Sequence, residues 1–442
     1  MLQEQDIAFE LVCQEYLCKT YLRNADESES VLVFESKQQT KDVICPYCGG
    51  SVHICESVSR NLQDVPIWSN MAQELCFVGY RYRCTKCGRK HTPPLPLQYP
   101  GTRITERAAN WIRTMLLNKL SIKSIQNITG IHWETIRNIH RETMEQTLRE
   151  HQAALKASGY RPHFLAVDEF AIRKGHSYAT SVMDLETGEV LWVGEGRSKD
   201  DFRRFFDEID PSFIAEIIAV AMDMNTSYHI VVQEMLPHAQ IVYDRYHMQA
   251  QYGREVLGTV RLDEARKHKA VSRELSEQLS GLPDEEKRKV KAQIREEKSQ
   301  YREMKKLRWT LLTNGENLSD ARAESLQTIL ENHSDLAVCY AMKEEMIALF
   351  ELRDVDQARI GWQNWFAAAK ASGIPALVSF AERKEKRIDG LVVHAIYPIS
   401  TGKLEGFNNK IKVAKRVGYG YRDDEYFFLL VRFLSLASPM FP

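Results

Sequence analysis

No stretch of this 442-residue chain comes near the roughly 20 consecutive apolar residues that a membrane-spanning helix needs. The longest candidate, Phe213 to Met222, is short and contains Glu216. A basic start followed by an apolar run is also missing. The chain opens Met1-Leu2-Gln3-Glu4-Gln5-Asp6, so no secretory leader is expected. Net charge is nearly absent: 59 Lys and Arg against 60 Asp and Glu leave −1. Global charge therefore predicts no anionic partner, and only segregated patches can attract one. Cysteines number 9, and an odd count argues against a disulfide framework. These absences together predict a cytoplasmic protein with no membrane partner. What is present is ordinary for globular proteins, with 44% hydrophobic and 27% charged residues and length for roughly two to four domains.

The cysteines are unevenly placed. Cys45-Pro46-Tyr47-Cys48-Gly49 and Cys84-Thr85-Lys86-Cys87-Gly88 are two matched knuckles. A Cys-x-x-Cys turn sets two thiolates on one side of an ion, and the following glycine permits the tight backbone. Two such knuckles predict a structural Zn²⁺ site of Cys45, Cys48, Cys84 and Cys87, in a ribbon over residues 41–92 with a hairpin between the knuckles. A dithiol redox role fits two matched pairs less well. Cys13, Cys18, Cys55, Cys76 and Cys339 follow no ligand spacing, and His53 and His91 are left to the surface or to support of the thiolates. Residues 1–40 read as a lead-in with strand and helix.

Pro93, Pro94, Pro96 and Pro100 make a stiff linker after the ribbon. Residues 102–150 then show helical periodicity. Thr105 can cap a helix burying Ala108, Ala109, Ile112, Met115 and Leu116. Ser121 can cap a second with Ile122, Ile125 and Ile128 inside, and after Thr129-Gly130-Ile131-His132 a third is expected from Trp133 to Arg141. Short helix, glycine turn, short helix is the helix-turn-helix pattern, although a plain three-helix bundle reads the same way. In the first reading Arg137 and Asn138 would meet base edges in double-stranded DNA, while Lys123 and Arg141 would hold phosphates.

From 162 to 249 the chemistry becomes that of strands, in the expected order β-β-β-α-β-α-β. Phe164 to Asp168 is the first strand, Tyr178 to Leu185 and Val190 to Val193 a hairpin, and Ile217 to Met222 and Gln240 to Tyr243 the last two. The first, fourth and fifth would run parallel, with the first and fourth adjacent where the sheet order reverses. Sites form at such switch points, beyond the strand C-termini. Asp168 and Asp223 lie at those two ends. Carboxylates this close repel unless cations neutralise them, and oxygen ligands favour Mg²⁺ or Mn²⁺. Asp244 also ends a strand; it either replaces Asp223 as ligand or pairs with His247 as a brace. Glu169 would point to the opposite face if the strand continues.

Residues 250–395 read as helices, with a charged stretch from Arg261 to Leu307 taken as a solvated face and Trp362, Trp365 and Phe366 as core. Over 396–442 the acidic theme returns with Glu405, followed by Lys410, Lys412, Lys415, Arg416 and Arg422, with Tyr419 and Tyr421 interleaved. This pattern suits a metal ligand beside a phosphate track, or else a solvated basic helix.

The segments CPYCG…RCTKCG, VDEFAIRKGHSYAT, AMDMNTSY, IVYDRYHM and GKLEGFNNKIKVAKRVGYGYRD resemble the ISL-three family of bacterial insertion-sequence transposases, over nearly the whole chain. The resemblance implies an α/β RNase H-like catalytic domain with an all-helical insertion before the glutamate, preceded by the zinc ribbon and the helix-turn-helix domain. It matches the DDE acids to Asp168 and Glu405, with Asp223 second by strand position. Asp244 with His247 then resembles the Asp-x-x-His signature of related transposases. The implied activity is metal-dependent DNA cleavage and strand transfer at terminal inverted repeats, by a homodimer or larger assembly near the bacterial nucleoid. A nuclease without strand transfer and an inert DNA-binding regulator are the alternatives.

Overall fold

Alternation of buried and outward residues over 30–34, with Ser30, Leu32 and Phe34 inside, builds sheet rather than helix. The computed structural model describes residues 16–436 apart from 24–28, 39, 67–71, 119, 174, 176 and 419. Cys13, most of the first half of the expected lead-in, and Tyr419 therefore lie outside the described residues. Among the described residues no helix is long and apolar enough to cross a membrane. The chain divides into two compact units, 1–152 with 416–421, and 153–415 with 422–442.

In the first unit, β1 (Tyr16–Arg23), β2 (Glu29–Ser36), β3 (Val52–Asp64), β4 (Ala72–Cys84) and β5 (Lys90–His91) form one sheet. Its order is β1-β2-β4-β3, with β5 on β4. The expected hairpin between the knuckles is β3 and β4, paired antiparallel. The sequence did not announce that β1 and β2 join it, β2 parallel to β4. Phe34 stacks on Phe77 with ring centroids 5.1 Å apart, which ties the lead-in strands to the hairpin.

Three helices follow: α1 (Glu106–Leu117), α2 (Ile122–Thr129) and α3 (Trp133–Ala157). Thr105 and Ser121 cap the first two through their side-chain oxygens, and α1 buries the five residues its period predicts. In α2 only Ile125 of the three isoleucines is buried; Ile128 is 52% exposed. Positions three and six residues on spread over about 120° of a helix, so one contact cannot bury both ends. The third helix does not stop at Arg141. No Gly or Pro interrupts it, and Ile136, Ile139, Met144 and Leu148 prolong its apolar stripe.

Sheet and helices of this unit are joined through the end of β3. Gln63 donates its backbone N–H to Arg103 O at 2.8 Å and accepts from Thr105 N at 3.0 Å. Asp64, only 4% exposed, accepts from Thr105 Oγ1 at 2.5 Å and from both Nε and Nη2 of Arg107. The cap of α1 is thus itself held by a buried carboxylate.

The second unit has the expected strand order. Its strands are β6 (Phe164–Arg173), β7 (Ser177–Asp184), β8 (Val190–Glu195), β9 (Ala219–Met222) and β10 (Gln240–Tyr243), in the order β10-β9-β6-β7-β8. β6 pairs with β9 in parallel and β9 with β10 in parallel, while β7 and β8 are antiparallel additions. Helix α4 (Lys199–Glu208) carries a capping box at Ser198 and buries Phe202, Phe205 and Phe206. Each such ring contributes roughly 1.5–3 kcal/mol by leaving water. Next come α5 (Thr226–Met235) and α6 (Arg245–Tyr252), then a π-helical turn, Gly253–Leu257.

The remaining 250–395 stretch is helical: α7 (Gly258–Glu277), α8 (Asp284–Lys306), α9 (Arg308–Leu312), α10 (Asp320–Asn332), α11 (Ser334–Leu349), α12 (Val355–Ala371), α13 (Pro375–Glu385) and α14 (Ile388–Val392). The chain returns to the sheet through α15 (Gly402–Val417) and α16 (Asp424–Ser435). Trp362, Trp365 and Phe366 are fully buried, and they belong to the same core cluster as Val167, Val220 and Met222 of the sheet. The inserted helices therefore share one core with the sheet.

Asp64→Ala removes an anchor that leaves Thr105 and Arg107 without their acceptor. A loss of about 2–3 kcal/mol is expected, seen as roughly 30- to 150-fold faster amide exchange at Ala108 and Ala109. Unchanged exchange at those amides would show that the cap does not depend on Asp64.

Candidate active site and metal centre

Register decides the site. Val167 on β6 faces Met222 on β9, so the next residues, Asp168 and Asp223, stand side by side. Asp223 follows the end of β9, whereas Asp168 lies within β6, which does not stop there as expected but runs on to Arg173, with Asp168 paired to Ser181 of β7. Asp168 is 8% exposed. Its Oδ1 accepts from Glu169 N at 2.8 Å and its Oδ2 from Asn408 Nδ2 at 3.0 Å. Asp223 accepts from Met224 N at 2.6 Å and from Gln251 Nε2 at 3.3 Å. Glu405 stands in the first turn of α15, whose buried Leu404, Phe407 and Ile411 fix its rotation. His247 lies between the acids: Nδ1 is 3.6 Å from Asp223 Oδ2, and Nε2 is 3.1 Å from Glu405 Oε1, the latter off hydrogen-bonding alignment.

Asp244 has another geometry. It is 1% exposed and caps α6, its Oδ1 accepting from Tyr246 N at 2.7 Å and His247 N at 3.0 Å. Its Oδ2 accepts from Thr401 N at 2.7 Å. One buried carboxylate thereby fixes both the turn that carries His247 and the segment that leads into Glu405. Its ligand atoms also lie within 4.8 Å of those of His247 and Glu405, so its proximity to the acids is real even though N–H donors occupy both oxygens.

Electrostatics follow from burial. Desolvation pushes the Asp168 carboxyl up to about 7, with the Glu169 and Glu405 charges adding to this and His247 opposing it. For His247, burial disfavours the cation, but Asp223, Asp168, Asp244 and Glu405 outweigh burial and raise its pKa. Glu169 is raised by burial and by the Asp223 charge. It is therefore not remote from the acids, and Arg197 lies 3.7 Å from its Oε1. Three buried polar atoms around the acids, His247 Nε2, Asn408 Oδ1 and Thr401 Oγ1, have no hydrogen-bond partner among the described residues. A desolvated carboxylate beside two others, ringed by unpartnered polar atoms, fits a hydrated divalent cation.

The second cluster is made of sulfur. Cys45, Cys48, Cys84 and Cys87 place all four Sγ within 4.8 Å of one another, with Cys45–Cys87 at 3.7 Å and Cys48–Cys84 at 3.5 Å. Thiolates about 2.3 Å from a tetrahedral ion would stand about 3.8 Å apart, so this cluster is compatible with a zinc ribbon. Gly49 and Gly88 have φ of 68° and 72°, the left-handed turn each knuckle needs. The N–H groups of Cys87 and Lys86 point at Cys84 Sγ and bring its pKa down to about 6. His91 stacks on Tyr82 and is not among the clustered ligands.

A family model described as Transposase, that of the DDE transposases of the ISL3 type, matches residues 165–431. The chain belongs to this family. The span contains Asp168, Asp223, Glu405 and the inserted helices. Among curated proteins, the transposase for insertion sequence element IS1001 of Bordetella parapertussis is 33% identical over 90% of this chain and 89% of its own length. The transposase for IS1557 of Mycobacterium tuberculosis is 26% identical over 62% of this chain and 60% of its own. An ISL3 transposase is an enzyme that acts on DNA, and the acid cluster is its candidate centre.

The basic candidates of this ISL3 transposase separate in the structure. Asn138 is exposed and Arg137 half-buried on α3. Arg141 Nε donates to Glu145 Oε1 at 3.2 Å, and Lys123 Nζ to Gln126 Oε1 at 3.3 Å. Burial holds His140 down to about 4, so it stays neutral. Lys410, Lys412, Arg416 and Arg422 are exposed. Lys415 is turned inward, its Nζ donating to Ala171 O at 2.8 Å; it serves the edge of β6. Sequence reading passed over Asn408, Gln251 and Lys384. Asn408 was within reach of it, three residues after Glu405 and so on the same helix face. Gln251, whose Oε1 accepts from the buried Lys384 Nζ, carries no local signal.

Two outcomes are expected. A raised carboxyl pKa in the folded state means that Asp168 favours folding at low pH and loses that contribution as pH rises through about 7. Without divalent ions, Asp168→Asn should therefore be more stable than wild type at pH 8, by up to about 4 kcal/mol at about 1.4 kcal/mol per pKa unit, with the gap narrowing at pH 5 and closing only below about pH 4; equal stability at pH 8 refutes a desolvated carboxylate. One equivalent of Co²⁺ should give wild type the absorption bands of a tetrahedral tetrathiolate, lost in Cys84→Ser; octahedral-type spectra would refute the sulfur site.

Proposed function

We propose that this chain cuts DNA at the terminal inverted repeats of a mobile element and joins the freed ends to target DNA. The observation that carries the proposal is that Asp223 and Glu405 both lie against His247 while Asp168, on the strand paired in parallel with β9, feels the charges of His247 and Glu405, in a chain of the DDE transposase family. The strand order of the second unit supports an RNase H-like catalytic domain with a helical insertion. Asp168, Asp223 and Glu405 are the ligands of a pair of Mg²⁺ or Mn²⁺ ions, which supply Lewis-acid stabilisation to the entering and leaving oxygens when bound.

The protein's own groups do the positioning. Asn408 orients Asp168, Gln251 orients Asp223, and Asp244 fixes the backbone of His247 and the approach to Glu405. We assign Asp223 rather than Asp244 as the second ligand, because N–H donors take up both Asp244 oxygens. His247 lies between Asp223 and Glu405, and their charges favour its protonated form, which limits their repulsion.

The Cys₄ cluster holds a structural Zn²⁺, and α2 and α3 act as a helix-turn-helix on duplex DNA, with Arg137 and Asn138 toward the bases. Lys410, Lys412, Arg416 and Arg422 supply phosphate contacts. Pairing of two element ends calls for a homodimer or a larger assembly on DNA.

A cleavage and strand-transfer assay with the element's own ends tests this. Asp168→Asn, Asp223→Asn and Glu405→Gln should each lose at least about 1,000-fold in Mg²⁺-dependent joining, as expected when a ligand of the reacting centre is removed. Asp244→Asn should lose less than Asp223→Asn. End binding without cleavage by wild type would establish a DNA-binding regulator instead, and cleavage without joined products a nuclease.

A further inference from the structure

The inserted helices and the end of α6 line a half-open cavity of about 410 Å³, with Arg254, Arg261 and Arg308 beside Leu257, Leu311 and Leu312. Its size falls within the roughly 300–1,000 Å³ of small-ligand pockets. The π-helical turn Gly253–Leu257 forms one wall. A Cβ at Gly253 would stand 2.3 Å from Leu312 Cδ2, so a larger residue there would displace that leucine.

The charges around this cavity are not balanced. Arg261 is 7% exposed. Its Nη1 donates to Met304 O at 2.9 Å and Lys305 O at 3.1 Å, at the end of α8, while its Nε has no partner among the described residues. The acids nearest in sequence are engaged elsewhere: Glu255 with Arg383 at 2.6 Å and Asp263 with Arg266 at 2.7 Å. Burial and the neighbouring Arg308 charge both pull the Arg261 pKa down, and no carboxylate offsets them. A guanidinium stays charged at any physiological pH, so a cationic cluster persists in a half-apolar cavity. Beside it, Arg308 lies over the ring of Trp309, 5.3 Å from its centroid, and that ring is 71% exposed. The sequence pattern reads the Arg261–Leu307 charges as a solvated face; Arg261 departs from it.

We propose that this cavity binds a nucleotide, its phosphate on the three arginines and its sugar and base against the leucines. Guanidinium forks match phosphate oxygens, and apolar walls suit the body of a nucleoside. The nucleotide is either one unit of a DNA strand or a free mononucleotide. The inference goes beyond the transposition chemistry and does not depend on it.

The test titrates the full-length protein with 5′-deoxyadenosine monophosphate, without added divalent ions, by calorimetry. Wild type should bind, and Arg254→Gln/Arg308→Gln should weaken binding at least tenfold with an unchanged circular dichroism spectrum; both residues are exposed, so the fold survives the change. Deoxyadenosine and inorganic phosphate should each bind at least tenfold more weakly than the nucleotide. A short oligothymidylate that displaces the nucleotide identifies a strand as the source, and one that does not leaves the free nucleotide. No binding at millimolar concentration, equal binding by the double variant, or equal binding of inorganic phosphate overturns the proposal. Failure here leaves the cleavage assay untouched, because the two read different residues.

Discussion

Parallel pairing of β6 with β9 is the constraint on which the rest of the second unit depends. It sets Val167 against Met222 and so delivers two aspartates to one edge of the sheet. A slip of one residue would move every side chain of one strand to the opposite face, sending one carboxylate into the aromatic core beneath. The register is held because the paired stretches, Leu165 to Val167 on β6 and Ala219 to Met222 on β9, are buried, and a slip would carry Asp168 or Asp223 into that apolar run.

Glu405 reaches the same edge by a longer route, and the inserted helices govern that route. They share a core with the sheet, so the chain returns to the candidate site with its position already fixed. The contact goes further than packing. Lys384 of α13 is 6% exposed and donates to Gln251 Oε1, which leaves the Gln251 amide nitrogen to face Asp223. Asp244 applies the same economy, one buried carboxylate fixing backbone on both sides of the sequence gap. An insertion of this kind is a structural partner of the site rather than an appendage.

The first unit rests on a different pair of devices. Sulfur closes one end of the β3–β4 hairpin, and Asp64 closes the other by holding Thr105 and Arg107. A long two-stranded ribbon is marginal alone. Here the lead-in strands widen it, and the Asp64 junction attaches it to α1. Neither device is visible in composition: the net charge of −1 conceals an acidic cluster, a basic stretch after Glu405 and an arginine-lined cavity.

Elements whose signals are local were readable along the chain. The Cys-x-x-Cys knuckles, the caps at Thr105 and Ser121, the strand order through Tyr243 and the burial of Trp362, Trp365 and Phe366 were all legible, because turn chemistry and periodicity act within a few residues. Asp168, Asp223 and Glu405 were legible as candidates for the same reason, each lying at the boundary of an apolar pattern. Only the tertiary structure decided what these groups touch. That Asp244 spends both oxygens on N–H donors, that Lys415 turns to Ala171, that Ile128 stays exposed and that Arg261 is buried without an acid all depend on partners distant in sequence. Periodicity gives the face of an element but not what covers that face, and long-range contact is where burial, pairing and pKa are set.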